Sequence, residues 1–369
     1  MTASPSPSAH GFTVADFDFQ LPDELIAQHP ATERSASRLL DGTGAQPVDR
    51  IFRELPSLLR CGDLLVFNDT QVVKARLFGE KASGGKFEIL IERVLLPHEA
   101  QDGSGQEVVA HIRVSKKPQP GGLLHLSGGL KNGGFDAVFL GRWPDEQGQL
   151  FRLRLQGPAG ETPYELMARH GHVPLPPYIT HTDDADDERR YQTVFARVPG
   201  AVAAPTAALH FTPGLLDALS ARGIKTETLT LHVGAGTFLP VKAEDTADHA
   251  MHAEWGRIEA DVADRLNAAR AGGNRVIAVG TTSLRLLESA AGEDRVIRPF
   301  AGDTAIFITP GYRFRAIDGL MTNFHLPRST LFMLVSALMG LERMQAAYAH
   351  AIAQGYRFYS YGDSSLLLP

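Results

Sequence analysis

The chain has 369 residues and a formal net charge of −6, with 43% hydrophobic and 21% charged residues. This length exceeds the usual size of a single hydrophobic core, so we expect two domains. The acidic balance excludes a protein coated in positive charge for non-specific nucleic-acid binding, and a nucleic-acid partner would need a local basic surface.

Cys61 is the only cysteine in the sequence. It excludes an internal disulfide and a cysteine-based zinc site, and it fits a cytoplasmic location. Residues 1–10 are rich in Ser, Pro and Ala and are predicted to form a disordered tail rather than a signal peptide. No apolar run approaches the ~20 residues of a membrane helix, so we expect no membrane partner.

The first part of the chain predicts a short helix at Pro22–Ala27 and a buried strand at Asp63–Phe67, which ends at Asn68-Asp69-Thr70. Residues 71–155 have a different character. Short apolar segments such as Phe87–Ile91 alternate there with glycine pairs, and long helical periodicity is absent. Many short strands with frequent turns indicate a small β-barrel or sandwich.

Strands and helices alternate after residue 156. Thr212 can cap a helix that has Pro213 in its first turn and ends near Gly223. The elements predicted beyond it are a strand at Thr226–Val233, a helix at 261–271, a strand at Arg275–Val279, a helix from about Ser283, a strand at Thr304–Ile308, and helices at 329–339 and 341–353.

This alternation predicts the fold class α/β, with a mixed, largely parallel sheet domain flanked by helices and an inserted all-β barrel-like domain. The predicted α/β domain comprises residues 1–70 and 156–369, and the inserted domain comprises residues 71–155. We interpret the acidic run Asp183–Glu188 as a solvated loop.

Polar segments are candidates for a binding site where they follow strands, because ligands of parallel α/β sheets bind beyond the carboxyl ends of the strands. Five segments follow apolar or strand-like stretches: Asn68-Asp69-Thr70, His210-Phe211-Thr212, His232 to Thr237, Gly280 to Ser283, and Asn323-Phe324-His325. Together they predict the rim of one pocket.

His232 allows two interpretations, a hydrogen-bonded structural histidine or a proton-transfer group. Gly234 and Gly236 permit either close backbone approach or a positive φ, and a Gly-x-Gly turn alone is more often structural. The full Gly-x-Gly-x-x-Gly dinucleotide fingerprint is absent, because Leu239 occupies its last position.

Thr281 and Thr282 stand at a predicted strand-to-helix junction, where they either cap the helix or mark free N–H groups that hold a carboxylate or phosphate. Asp69 is either a base, a ribose-binding carboxylate or a turn residue. The aromatic run Tyr356–Tyr361 either stacks bases or packs a C-terminal strand.

A metal site is hinted at by His249, His252 and Glu254, which form the pattern His-x-x-His-x-Glu. This pattern is not the His-Glu-x-x-His motif of zinc enzymes, and a third ligand is not evident. We therefore expect no metal.

The sequence resembles the S-adenosylmethionine:tRNA ribosyltransferase-isomerase family of the queuosine pathway. The matching stretches are Asp16–Phe19, Leu25–Pro30, Ser37–Leu40, Val66–Thr70, Ala75–Leu77, Tyr191–Val194, Gly200–Thr206, Leu209–Thr212, Leu229–Phe238, Ala278–Ser283, Thr322–Pro327 and Ser360–Asp363. They cover almost the whole chain in order. Gln71 stands where the family often has Arg, Ala208 stands where it often has Gly, and residues 95–150 match least well.

The resemblance implies an enzyme that moves the ribosyl part of S-adenosylmethionine to 7-aminomethyl-7-deazaguanine in the tRNA anticodon. The product would be epoxyqueuosine, and adenine and methionine would leave. S-adenosylmethionine is then a consumed co-substrate, tRNA carrying the aminomethyl base is the partner, and neither a metal nor a bound cofactor is required. The resemblance also suggests a monomer.

Role assignments follow from combining this resemblance with the polar segments. The predicted proton-transfer residues are His232, His210 and Asp69. The predicted substrate-binding residues are Gly234, Gly236, Thr281 and Thr282 for S-adenosylmethionine, Asn323 and His325 for the deazaguanine or ribose, Arg76 and Tyr361 for tRNA, and Asn68, Thr212 and Thr237 within the same segments.

Three other functions remain open from the sequence. An S-adenosylmethionine-dependent RNA methyltransferase would release S-adenosylhomocysteine instead of adenine and methionine. A non-catalytic RNA-binding module would need a strongly basic barrel, which the modest charge disfavours. A metal hydrolase built on His249 and His252 would lose activity on chelation.

Overall fold

The computed structural model of the chain describes residues 11–81, 84–100, 103, 105–115, 118–129, 133–238, 243–249 and 251–369, without the side chains of Thr237 and Phe238. The prediction for residues 1–10 lies outside these residues. The helices are α1 (Leu55–Leu58), α2 (Pro163–His170), α3 (Ala185–Arg190), α4 (Pro213–Ala221), α5 (Ala260–Ala271), α6 (Thr281–Ala290), α7 (Thr330–Met339) and α8 (Leu341–Ala353).

The strands fall into a sheet, a barrel and one short pair. They are β1 (Arg38–Asp41), β2 (Val48–Ile51), β3 (Leu64–Asn68), β4 (Thr70–Val72), β5 (Arg76–Glu80), β6 (Lys86–Val94), β7 (Glu107–Arg113), β8 (Leu123–Leu126), β9 (Phe135–Trp143), β10 (Leu150–Gln156), β11 (Val198–Ala201), β12 (Lys225–Leu231), β13 (Glu254–Ile258), β14 (Val276–Val279), β15 (Phe300–Thr304), β16 (Gly319–Asn323) and β17 (Ser364–Leu367). β4 and β11 form the separate parallel pair.

Within the described residues, nine strands form one mixed sheet in the order β15-β13-β12-β3-β14-β16-β17-β1-β2. The central strands β12, β3, β14 and β16 are parallel to one another. Leu64 and Val66 of β3 pack into one core cluster with helices α5 to α8, and Leu65 and Phe67 pack into a second cluster with α1 and α4. Burial on both faces explains the continuous apolar run of β3.

A closed barrel of six antiparallel strands, in the order β10-β7-β6-β5-β8-β9, forms in the described part of residues 76–156. Along β6, Phe87, Ile89 and Ile91 are buried in a separate core, and the residues between them are half-exposed. This alternation is the pattern of a strand with one face inward. The predicted fold class, including the inserted barrel, is confirmed, and the limits at residues 71 and 155 stay a prediction.

Several element predictions match closely. Thr212 caps α4, because its Oγ1 accepts a hydrogen bond from the backbone N–H of Leu215 at 3.2 Å. The two last helices begin and end within one residue of the predicted limits. None of the described helices combines the length and apolar character needed to cross a bilayer.

Three local predictions were wrong. The strand predicted at Thr304–Ile308 lies four residues earlier, at β15, because β13 pairs with residues 300–304. The acidic run is the capped helix α3 rather than a solvated loop, and Asp187 within it is buried. The strand predicted at Thr226–Val233 ends at Leu231, before His232. The aromatic side chains of the run Tyr356–Tyr361 are buried ahead of the C-terminal strand β17, which begins at Ser364.

Candidate active site

A cavity of about 450 Å³ lies at the edge of the sheet where β14 and β16 end. These two strands are parallel, so their carboxyl ends meet at one edge, and the antiparallel β17 begins beside them. Three of the five predicted segments line the cavity, through Val233 and Gly236, Gly280 to Thr282, and Asn323 to His325. In the described part of the chain, segments 68–70 and 210–212 do not line it.

Asn323 faces the cavity and is held by His210. Asn323 Nδ2 donates to the carbonyl oxygen of Tyr359 at 2.9 Å, which leaves Oδ1 to accept from His210 Nε2 at 3.0 Å. His210 Nδ1 then accepts from the Ser37 hydroxyl at 2.7 Å. Burial lowers the pKa of His210 to about 4, so its ring is neutral near pH 7. His210 therefore positions a cavity residue rather than lining the cavity itself.

His325 lines the cavity directly. Its Nε2 lies 3.0 Å from the hydroxyl oxygen of Thr322, and its backbone N–H donates to the hydroxyl oxygen of Tyr348 at 3.0 Å. Burial lowers the pKa of His325 to about 3. A neutral ring at this position can exchange hydrogen bonds with a ligand without carrying charge.

His232 comes directly after β12 and precedes Val233 of the cavity wall, but it is not itself one of the described lining residues. Its Nδ1 lies 2.8 Å from Thr70 Oγ1, and its ring stacks on Trp255 with centroids 5.6 Å apart. Burial lowers the pKa of His232, and the nearby Asp69 carboxylate opposes this effect. The ring is therefore suited to be neutral at pH 7 and to gain a proton beside a negative charge.

Asp69 and Asn68 are buried and bonded to neighbouring protein groups. Asp69 accepts from Thr230 Oγ1 and from Arg197 Nη2, each at 2.6 Å. Asn68 Nδ2 donates to the carbonyl oxygen of Leu231 at 2.8 Å, and Asn68 Oδ1 accepts from the Leu231 backbone N–H at 3.0 Å. This paired contact fastens the end of β3 to the end of β12.

The glycines after His232 are sites of close approach, as predicted. A Cβ added to Gly234 would lie 2.1 Å from Glu92 Oε1 of the barrel, and one added to Gly236 would lie 2.7 Å from the ring of His252. A side chain at either position would have to displace Glu92 or His252, so glycine lets these two groups approach the backbone closely. Thr237 is also a predicted site residue, and its side chain lies outside the described part of the chain.

The remaining predicted site residues lie away from the cavity lining. Thr212 caps α4. Arg76 lies on the barrel strand β5 with its Nε 2.7 Å from Glu88 Oε1. Tyr361 is buried and donates to Asp187 Oδ1 at 2.7 Å.

Arg285 is a cavity residue that the sequence analysis did not select. It lies four residues after Thr281 on α6, a spacing that puts both on one face of the helix and that was visible in the sequence. Its Nη1 lies 2.5 Å from Glu254 Oε2, and the side chains of Arg285 and Glu254 are only 6% and 5% exposed. The pairing itself could not be predicted, because the partners are 31 positions apart.

Aromatic and histidine side chains complete the lining. The rings of Tyr178 and Tyr359 have centroids 4.6 Å apart, and Tyr178 Oη lies 2.6 Å from Ser360 Oγ. His249 and His252 also line the cavity. No group of three or more His, Cys, Asp or Glu suited to a metal ion occurs among the described residues, and Glu254 is bound to Arg285 instead.

Comparison with known proteins identifies the family. The family model described as "Queuosine biosynthesis protein" matches residues 14–367. A protein of Novosphingobium aromaticivorans named S-adenosylmethionine:tRNA ribosyltransferase-isomerase is 60% identical over 357 residues, which are 96% of this chain and 98% of the relative. A protein of the same name from Dechloromonas aromatica is 53% identical over 355 residues, 96% of each chain.

A solved structure agrees with this result. The crystal structure of S-adenosylmethionine tRNA ribosyltransferase from Thermotoga maritima is 32% identical to this chain and superposes with a TM-score of 0.51, covering 96% of this chain and 100% of that one. The resemblance predicted from the sequence is therefore confirmed. The chain belongs to the S-adenosylmethionine:tRNA ribosyltransferase-isomerase family of queuosine biosynthesis.

Proposed function

We propose that the protein transfers the ribosyl part of S-adenosylmethionine to the aminomethyl group of 7-aminomethyl-7-deazaguanine in the tRNA anticodon. The product is epoxyqueuosine-tRNA, and adenine and methionine are released. The proposed enzyme acts in the cytoplasm as a monomer, consumes S-adenosylmethionine as a co-substrate and needs no resident cofactor. The observation that carries the proposal is the cavity at the strand edge, with the polar side chains of Asn323 and His325 in its lining, in a chain that matches this family from residue 14 to 367.

The cavity suits a ligand of the size and chemistry of S-adenosylmethionine. Its volume of about 450 Å³ lies within the usual range for small-molecule sites. Tyr178 and Tyr359 offer aromatic surface for a purine, and burial raises the pKa of Tyr178 to about 12, which keeps its hydroxyl neutral. Asn323 and His325 offer hydrogen bonds of fixed direction to a base or a ribose.

The proposed chemistry needs a base and an acid but no metal. The sulfonium acidifies the ribose 5′ hydrogens, so that a base can remove one of them. The electrons of that carbon–hydrogen bond form a C4′–C5′ double bond as the ring oxygen leaves C4′, and this oxygen becomes the C1′ carbonyl as protonated adenine leaves with the electrons of the sugar–nitrogen bond. The neutral amine of the acceptor adds to C4′ and loses a proton to a base, and the C5′ carbanion formed beside the sulfonium attacks the C1′ carbonyl, which closes the carbon ring. The resulting C1′ oxyanion displaces methionine from C5′, methionine leaves with the electrons of the carbon–sulfur bond, and the epoxide closes.

His232 is the leading proton-transfer candidate in this proposal. Its neutral ring can accept a proton, and the carboxylate of Asp69 stabilises the resulting imidazolium. Asp69 thus serves the reaction through His232. His210 serves it by holding Asn323 toward the substrate.

Product analysis tests the proposed function. The purified protein is incubated with S-adenosylmethionine and tRNA that carries the aminomethyl base. The mass of the modified nucleoside is then measured by mass spectrometry. We expect the mass of epoxyqueuosine together with equal amounts of adenine and methionine. Formation of S-adenosylhomocysteine would identify a methyltransferase instead, and unmodified tRNA with intact S-adenosylmethionine would contradict the proposal.

A further inference from the structure

One wall of the cavity contains two buried polar atoms without a hydrogen-bond partner among the described residues, Arg285 Nη2 and Thr282 Oγ1. Arg285 is 5% exposed, so its guanidinium has little access to bulk water. Leaving a buried charged donor unsatisfied is costly, and native proteins seldom do so without a ligand. These two atoms point to a ligand with acceptor oxygens.

The guanidinium of Arg285 is fixed by its other nitrogens. Nη1 donates to Glu254 Oε2 at 2.5 Å, and Nε donates to the carbonyl oxygen of Ile306 at 3.4 Å. Glu254 Oε1 in turn accepts from the backbone N–H of Gly234 at 3.1 Å. This arrangement holds the planar guanidinium in one orientation, so Nη2 is preorganised to donate to a bound group.

The N-terminus of α6 is the third element of this wall. The helix has ten residues, and its N-cap is Gly280, whose φ of 91° places it outside the region that other residues favour. Among the described residues no side chain caps this end, so N–H groups of the first turn can donate to a ligand. The partial positive charge of the helix end favours an anion.

We infer that Arg285 Nη2, Thr282 Oγ1 and the N-terminus of α6 bind the carboxylate of the methionine half of S-adenosylmethionine. This inference rests on the proposed function. A carboxylate offers several acceptor lone pairs, which match a guanidinium N–H, a hydroxyl and backbone N–H groups together. The contact anchors the sulfonium and the 5′ carbon relative to the base that acts on it, and it selects the amino-acid form of the donor.

The test compares two ligands that differ only in this carboxylate: S-adenosylmethionine and its decarboxylated analogue. Their dissociation constants are measured by isothermal titration calorimetry with the wild type, with Arg285→Lys and with Thr282→Val. Charge-assisted hydrogen bonds predict that the wild type prefers S-adenosylmethionine by about 10- to 100-fold. We expect each variant to reduce this preference at least threefold, mainly by weakening the binding of S-adenosylmethionine.

Controls separate binding from folding. Arg298→Lys makes the same change at an exposed ion pair with Asp294, and it should leave the preference unchanged. Thr282→Val keeps the Arg285–Glu254 pair, so it remains informative if Arg285→Lys does not fold, and thermal melting shows which variants fold. An unchanged preference in folded variants would overturn the inference, even while the wild type still makes the product. A wild type that binds both ligands equally would overturn the inference alone, because the product assay decides the proposed function separately.

Discussion

His210 Nε2 lies 3.0 Å from Asn323 Oδ1, in a fully buried contact that joins the end of a 3-10 helix at Thr206–His210 to the end of β16. The contact fixes one protonation state. Because Asn323 Oδ1 can only accept, His210 must carry its proton on Nε2, and the Ser37 hydroxyl then donates to Nδ1.

His210 should make the stability of the protein depend on pH. Burial lowers its pKa from the ordinary 6.5 to about 4 in the folded state. The unfolded chain therefore binds a proton that the folded chain does not, and the free energy of unfolding falls as the pH drops from about 6.5 to about 4, by roughly 3 kcal/mol. His210→Gln should flatten this dependence by up to about 1.4 kcal/mol per pH unit.

Urea denaturation at several pH values between 4 and 7 measures this slope. The half-buried His325, whose pKa is also lowered, should leave a residual slope in the His210→Gln variant. The same substitution at the exposed His98 is the control and should keep the wild-type slope. Equal slopes in the wild type and His210→Gln would show that His210 is not the titrating group.

Gly280 and Gly340 form a natural pair for testing the N-terminus of α6. Both are N-cap residues with positive φ, 91° before α6 and 90° before α8. An added Cβ would meet only ordinary contacts at Gly280, the nearest at 3.5 Å, and nothing within 4 Å at Gly340. Alanine at either position should therefore cost about 1–3 kcal/mol of stability through backbone strain alone.

Only Gly280→Ala should affect ligand binding, because α6 begins at the cavity, whereas no described residue of α8 lines it. We expect a roughly tenfold or greater loss of S-adenosylmethionine affinity in Gly280→Ala, since the strain reorients the first turn of the helix. Gly340→Ala should bind normally despite a similar loss of thermal stability. Calorimetric titration measures the dissociation constant for S-adenosylmethionine of both variants. Equal affinities of Gly280→Ala and Gly340→Ala would mean that the first turn of α6 does not contact the donor.

The sequence predicted those elements whose ends are set by residues next to them in the chain. The last two helices could be placed within a residue, because Ser329 caps α7 and Gly340 separates it from α8. The helix α3 was missed although Asp184 caps it, because its acidic first turn was interpreted as a sign of solvation. The register of β15 could not be predicted, since pairing of Glu254 with Thr304 decides which residues extend.

The same division holds for the site. Thr281 and Asn323 could be found because they follow apolar strands whose carboxyl ends meet. The supporting role of His210 depends on its contacts with Asn323 and Ser37, which are 113 and 173 positions away, so no local pattern could reveal it. Arg285 could have been found by its helical spacing from Thr281, but its orientation depends on Glu254.

His232 should act by transferring a proton. His232→Ala and His232→Gln should each lower kcat by about 10²- to 10⁴-fold, the usual contribution of a general acid or base. Glutamine can still hydrogen-bond to Thr70 but cannot take up a proton, so it separates the chemical role from a positional one. Steady-state kinetics with modified tRNA, together with the dissociation constant for tRNA, measures both effects.

Thr70→Val is the matched control for the hydrogen bond of His232. It removes the hydroxyl that lies 2.8 Å from Nδ1 and leaves the ring in place, so a loss of less than about tenfold in kcat is expected. Affinity for tRNA should change little in all three variants. Recovery of near-normal turnover by His232→Gln would show that the residue only holds its neighbours.

Glu288 fastens the other end of α6 to the loop before β16. Its buried carboxylate accepts from Tyr312 Oη at 3.1 Å and from the backbone N–H groups of Arg315 at 2.8 Å, Ala316 at 2.9 Å and Ile317 at 3.3 Å. Each of the two oxygens therefore faces at least one backbone N–H. Glutamine must turn its NH₂ group toward one of them in either orientation, which sets donor against donor.

Glu288→Gln should therefore lower the free energy of unfolding by about 1.5–3 kcal/mol, the range for hydrogen bonds to a charged group. Glu293→Gln is the control, because that side chain is 93% exposed. Its substitution should change the free energy of unfolding by no more than about 0.5 kcal/mol. Urea denaturation at pH 7 measures both. Equal stability of the two variants would mean that the loop is held by its apolar contacts. A loss of stability confined to Glu288→Gln, with S-adenosylmethionine affinity less affected than in Gly280→Ala, would show that this carboxylate stabilises α6 without touching the ligand.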